Sequence, residues 1–436
     1  MLKKYLLKSI SSCYFNNNVM FFFLCVIALI LILVIFLSPY IVIDCSNYFF
    51  IKTGNDSWHP MIKALIWYKE NPDTALYNKL LIEDSIKFQY PPTSLLIFDI
   101  PQRITGFSYE KITALYNRLS WCSVFLTAIF TSKILTSVIK HIHTYIHTYI
   151  HTIIQYLVIG LFTLFFYPLM KSYNLGQVQT ILTMLATFVM YFYLSGNKKI
   201  TGLCLGLICL IKPQLGLLFL WGIIRKEWTM VITGSITVIS ILLISISFYG
   251  FHNHLDYLSA LSFLSKHGEC FYPNQSINGI MNRLLFNGNN LYWSADTFPP
   301  YNTLVYLSTL FSSLFLITLG LFWNYKSKHP NIIEFSIMML CATIASPIAW
   351  EQHYGILLPI FILLSPFMIH YCKNKKWKLL VFGLAFVGSS QFFIVTLKLA
   401  NSYFNIFQSY LLFSALIILL FMFYVSKKMK NENCSI

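Results

Sequence analysis

ITGLCLGLICLIKPQLGLLFLWGII, residues 200–224, is an apolar stretch broken at Lys212-Pro213, and its reading sets the topology of the whole chain. Proline removes a backbone donor and turns its predecessor away from helix, so two short helices meeting at Pro213 are expected. The stretch is either one full membrane span or a re-entrant hairpin that returns to the side it left, and the basic residues decide between them. With a hairpin, lysines and arginines near 3–8, 133–140, 198–199, 225–226, 326–328, 373–378 and 427–430 all fall on one side. That side holds eighteen of the 31 basic residues, against only Glu227, Glu334 and Glu432. A full span would split these clusters, contrary to the tendency of positive loops to stay cytoplasmic. The hairpin is therefore the expectation, with both termini cytoplasmic.

Working outward, spans are expected at 19–43, 111–132, 153–170, 177–195, 228–249, 301–323, 331–348, 353–371, 379–397 and 404–425, where the apolar runs are long enough to cross a hydrocarbon core. The 436 residues are 57% hydrophobic and only 11% charged. Soluble domains carry roughly a quarter charged residues, so a water-soluble globule is excluded. A β-barrel would need short alternating segments, which are absent. The expected class is an all-α integral membrane protein, one polytopic domain over 1–436 with about ten full spans plus the hairpin. Its net charge of +16 is accounted for by cytoplasmic loops and calls for no nucleic acid. The first span is too long for a cleaved signal peptide and reads as a signal anchor. The ten cysteines show no CxxC and no metal spacing, and nothing in the order pairs Cys45 with Cys270.

This topology sends the unusual polar residues to the non-cytoplasmic face. Asp44 directly follows the first span. An ionisable group at that depth is functional, paired, or a plain interfacial stop, and alone it does not choose. The first outer loop, 44–110, contains His59–Tyr68, with apolar residues at helical spacing between lysines, which suits a helix lying in the interface. Phe88-Gln-Tyr90-Pro-Pro92 is a stiff extended turn. Asn174-Leu-Gly-Gln177 opens the 177–195 span, and Lys212 stands at the hairpin apex, where a lysine cannot easily reach water. It calls for an anion, either a bound phosphate or an internal carboxylate. Gln275 and Arg283 belong to the large outer loop at 250–300, and Trp350 and His353 link two spans outside. A carboxylate with several cations on one face suits group transfer: a base takes the acceptor proton and cations stabilise departing phosphate. No phosphate-binding Gly-x4-Gly-Lys motif and no Gly-x-Gly-x-x-Gly after a strand occurs, which disfavours ATP and dinucleotide chemistry.

In order along the chain stand Asp44, Ala75-Leu-Tyr77, Phe88-x-Tyr-Pro-Pro92, Asn174-Leu-Gly-Gln177, Gly202-x3-Gly206-x5-Lys212-Pro213, Asn274-Gln-Ser-x2-Gly-x3-Arg283 and Ser346-Pro-x2-Trp350-x2-His353. This series resembles glycosyltransferase family 87, the polyprenyl-phosphate-mannose-dependent α-1,2-mannosyltransferases of the GT-C superfamily. The resemblance implies an inverting, metal-independent enzyme without a cofactor, in the plasma (inner) membrane, with its site facing the extracytoplasmic side. Its donor would be a polyprenyl-monophosphate sugar, and its acceptor a glycan or glycolipid. Carried over residue by residue, Asp44 is expected to be the general base. Lys212 and Arg283 are expected at the donor phosphate, and His353 near phosphate or acceptor. Asn174, Gln177, Tyr90, Gln275 and Trp350 stand in the matching motifs as expected substrate contacts. Many relatives carry a second histidine beside His353, where this chain has Tyr354.

The segment 137–152 is a low-complexity cytoplasmic insertion. His143, His147 and His151 recur every four residues and would share a helix face, as zinc ligands can. The verbatim Thr-Tyr-Ile-His repeat favours a tolerated insertion instead. Two rival functions remain at this level. A secondary transporter would need ionisable residues within several spans and internal repeats, and neither is evident. A lipid-linked glycan polymerase or ligase would carry a longer outer loop late in the chain.

Overall fold

The computed structural model describes residues 54–72, 74–83, 86–142, 149–294, 297–326 and 330–432. The expected span at 19–43, Asp44, Cys45 and residues 143–148 of the His repeat lie outside the described residues. The chain folds as helices α1 (Trp58–Glu70), α2 (Leu96–Thr105), α3 (Tyr109–Ile142), α4 (Tyr149–Phe165), α5 (Tyr167–Asn174), α6 (Gln179–Leu194), α7 (Lys198–Cys209) and α8 (Leu217–Ile224). Then come α9 (Trp228–His267), α10 (Ile277–Leu284), α11 (Thr303–Phe322), α12 (Ile332–Ile344), α13 (Leu357–Tyr371), α14 (Lys376–Ser390) and α15 (Tyr410–Asn431). No strand occurs among the described residues, only an isolated bridge between Asn274 and Trp350. This is an all-α membrane protein.

Among the described residues, five helical segments are long and apolar enough to cross a membrane, or six if the α4–α5 pair, bent by 57°, is one span. The expected spans at 111–132, 228–249, 301–323, 353–371 and 404–425 coincide with or overlap the five, and 153–170 falls on the bent pair. The other expected spans among the described residues are shorter than their hydropathy suggests. α12 has 13 residues, all of them buried, and at 1.5 Å per residue it is about 20 Å long, against a hydrocarbon core of ~30 Å. Its apolar character serves packing on every side rather than contact with lipid. α6, with 16 residues, is likewise short. The apolar run at 379–397 does not stay helical: α14 ends at Ser390, and Ile394–Leu399 is a separate 3-10 turn. By contrast α9 and α11 keep large apolar residues outside, among them Ile232, Ile236 and Leu243 on α9, and Phe311 and Phe315 on α11. Those are the faces a bilayer would cover.

The 200–224 stretch forms two helices on either side of Pro213, α7 and α8, joined by a 3-10 turn at Pro213–Gly216. Gly202 and Gly206 let α7 press directly onto α9. A β-carbon at Gly202 would lie 2.3 Å from the Met230 carbonyl oxygen, and one at Gly206 2.9 Å from that of Gly234. Small residues four apart allow this close backbone approach, and the contact fixes where the Lys212 turn sits. α1 buries Trp58, Met61, Ala64 and Leu65 on one face, the helical spacing expected there.

Candidate active site

The first outer loop is held against the start of α6 by main-chain hydrogen bonds. Gly54 N–H donates to Asn174 O at 2.8 Å, Asp56 N–H to Leu175 O at 2.8 Å, and Ser57 N–H to Gly176 O at 3.3 Å. Side chains continue the contact. The Ser57 hydroxyl donates to Gln177 Oε1 at 2.7 Å and lies 2.8 Å from the Tyr90 hydroxyl. The Gln177 amide then donates to the Asp56 carboxylate. Tyr90 is placed by Tyr77, whose hydroxyl donates to the Tyr90 carbonyl at 2.6 Å and whose ring stacks on Phe88. The Ala-Leu-Tyr77 and Phe88-x-Tyr-Pro-Pro92 motifs are thus one unit. Thr93 ties the unit to the hairpin by donating to the Leu210 carbonyl, two residues before Lys212.

A second unit forms from the two late motifs. Gln275 N–H donates to Ala349 O at 2.8 Å, Glu351 N–H to Pro273 O at 3.0 Å, and Ala349 N–H to Asn274 Oδ1 at 3.0 Å. Tyr354 donates its hydroxyl to the Gln275 carbonyl and is fully buried. Its role is to lock the two segments together. Below them the Glu351 carboxylate accepts hydrogen bonds from Tyr167 at 2.8 Å and Tyr410 at 3.3 Å. The backbone that carries Trp350, Gln352 and His353 is therefore fixed on both sides.

These units enclose a cavity of about 1040 Å³. Tyr90, Gln177, Lys212, Trp350 and His353, all expected from the sequence, line it. Lys212 Nζ and His353 Nε2 are in direct contact. Beneath the pair is a space of about 20 Å³, also lined by Gln179 and Gln214, large enough for one water molecule. Lys63, Lys87 and Lys171 add three cations, of which Lys87 pairs with Glu269 at 2.9 Å. The lining also has an apolar part, with Leu217 and Leu220 from α8, Leu261 and Leu264 from α9, and Ile317 from α11.

Three expected residues are placed elsewhere. Arg283 is fully buried and does not line the cavity. Its guanidinium donates to the Asn274 carbonyl at 3.1 Å, to the Cys270 and Phe271 carbonyls at 3.4 Å, and to Ser409. The turn at 270–274 leaves carbonyls pointing inward, and an arginine fork satisfies several at once. Gln275 is also buried, donating to Tyr272 O and Gln408 O at 2.8 Å. Asn174 enters through its backbone carbonyl rather than as a cavity-lining side chain.

Sequence reasoning missed Asp56, which among the described residues is the only acidic side chain lining the cavity. Gly54-Asn-Asp-Ser57 before an amphipathic run reads as a helix start, and nothing local announces that Asp56 meets Gln177. Asp56 stays exposed, and the partial desolvation by surrounding protein raises its carboxyl from the ordinary aspartate value, while the Gln177 hydrogen bond and the Lys171 charge pull it back. His59 is held below the usual imidazole range by burial and by Lys63.

Fold and cavity together define a class: a helical membrane protein with an interior cavity lined by both cationic and apolar side chains. A model of glycosyltransferase family 87 matches residues 88–347, more than half of the chain, and the chain belongs to that family. It is a membrane glycosyltransferase. No curated protein matches it.

Proposed function

We propose that the protein moves a hexose, mannose, from a polyprenyl-phosphate carrier to a glycan or glycolipid acceptor on the extracytoplasmic face of the plasma (inner) membrane. The single observation that carries this reading is the mixed lining of the cavity, where Lys212 and His353 share the space with the apolar side chains of Leu217, Leu220, Leu261, Leu264 and Ile317. A lipid phosphate fits such a space, its charge met by the lysine and its tail lying along the apolar side chains. A nucleotide sugar would leave those apolar side chains without a partner. The topology proposed with it has about ten spans, the 200–224 stretch re-entrant and both termini cytoplasmic.

The chemistry is a single displacement. The acceptor hydroxyl oxygen attacks the anomeric carbon and the bond from that carbon to the phosphate oxygen breaks, its electron pair leaving with the phosphate. The acceptor proton passes to Asp44. Lys212 stabilises the charge growing on the departing phosphate, and His353 borders the same position. Positioned base catalysis contributes roughly 10²–10⁴-fold, and fixed cations in a dry cavity contribute at least as much.

Membranes containing the protein are expected to transfer mannose from polyprenyl-phosphate-mannose without added metal, and Asp44→Asn abolishes that transfer at unchanged expression. Activity that survives the substitution removes Asp44 from the base role. Transfer from a nucleotide sugar in detergent overturns the donor.

A further inference from the structure

We infer that Asp56 is a sugar-reading residue of the cavity, its carboxylate accepting hydrogen bonds from hydroxyls of the donor's hexose while Gln177 holds it in place. This deepens the proposed function and rests on it.

The inference starts from how Asp56 is held. Its backbone is clamped to Leu175, and one carboxylate oxygen takes the Gln177 amide hydrogen bond. Gln177 is itself fixed by the Ser57 hydroxyl. The second oxygen has no hydrogen-bond partner among the described residues, and Asp56 is an exposed residue of the cavity lining. No lysine or arginine among the described residues lies within ion-pair distance of the carboxylate, and Lys171 acts on it only from further away. A fixed carboxylate with a free oxygen, on a residue that lines a ligand space, is an acceptor awaiting a donor. Sugar hydroxyls are such donors, and bonds to an ionised acceptor are roughly twice as strong as neutral ones.

Position supports the assignment. Gln177 holds Asp56, and Gln179, two residues further on, lines the small space shared by Lys212 and His353. Asp56, Lys212 and His353 all line the one cavity, into which a hexose attached to a phosphate on that pair would extend. Tyr90 and Trp350 line the same cavity and offer ring faces to the sugar.

The test compares two synthetic lipids, farnesyl-phosphate mannose and farnesyl phosphate, titrated into full-length protein in detergent. Wild type binds both, the mannosylated lipid more tightly. Asp56→Asn weakens the mannosylated lipid by about ten- to a hundredfold, the range of a hydrogen bond to a charged group, and leaves the sugar-free lipid unchanged. Asp56→Glu falls between. Lys212→Ala weakens both lipids alike. The sugar-free lipid doubles as the control for folding. An equal loss for both lipids in Asp56→Asn, no loss for the mannosylated one, or a wild type that does not distinguish the two overturns the inference. Failure of wild type to bind either lipid is a different result, which overturns the donor reading and this inference with it.

Discussion

A β-carbon placed on Gly176 would lie 1.8 Å from the Gly54 carbonyl oxygen, and the backbone of Gly176 is left-handed at φ +64°. Both facts require glycine at 176. Left-handed geometry alone costs an ordinary residue roughly 1–2 kcal/mol, and the backbone clash adds to it. Gly176→Ala should lower the melting temperature in detergent and open the 54–57 segment to protease. It should also impair sugar transfer, because the loop it releases carries Asp56.

Asp56 makes the reaction pH-dependent in a defined direction. Its folded carboxyl lies above the ordinary aspartate value, so it takes up a proton at a higher pH than an ordinary aspartate. Affinity for the mannosylated lipid should fall as pH is lowered through that raised value, and Asp56→Asn should flatten this limb. Stability runs the other way. A carboxyl raised by desolvation favours the protonated fold, so its ionisation weakens the fold as pH rises past the unfolded value. Thermal melts at pH 7 should accordingly find Asp56→Asn no less stable than wild type.

The Lys212–His353 contact predicts strong coupling. Lys212→Ala should cut kcat/KM by about 10²–10³-fold, the usual loss for one preorganised group facing developing charge. Because the two side chains touch, the Lys212→Ala/His353→Ala double variant should lose less than the product of the single losses. Strict additivity in this cycle would separate the two roles.

Arg283 should behave as structure, not as a phosphate ligand. Lysine brings three donors where arginine brings five, so Arg283→Lys leaves some carbonyls of the 270–274 turn unpaired. Each buried orphan costs roughly 1–3 kcal/mol. The expected result is a lower melting temperature, with KM for the lipid donor unchanged in the folded fraction. A raised KM at an unchanged melting temperature would return Arg283 to the site.

Much of this protein was legible in residue order, because hydrophobicity and motif order are properties of the chain itself. Apolar runs that no soluble fold could bury gave the helical membrane class. The break at Pro213 marked two helices, since proline cannot continue one. Ordered motifs marked the family and placed Lys212, His353, Tyr90, Gln177 and Trp350 around one cavity. Hydropathy could not separate α12, apolar because protein surrounds it, from helices apolar because lipid does, so among the described residues five or six segments have the length and composition to cross. Nor could residue order say which polar group faces a ligand and which faces a carbonyl. Arg283 and Gln275 look like substrate contacts in a motif, yet the turn folded around them uses their donors. Asp56 looks like a helix start, and becomes a cavity carboxylate only because a chain contact brings Gln177 beside it from 121 positions away. Such pairings depend on how helices pack, and packing is a property of the whole fold that no local stretch encodes.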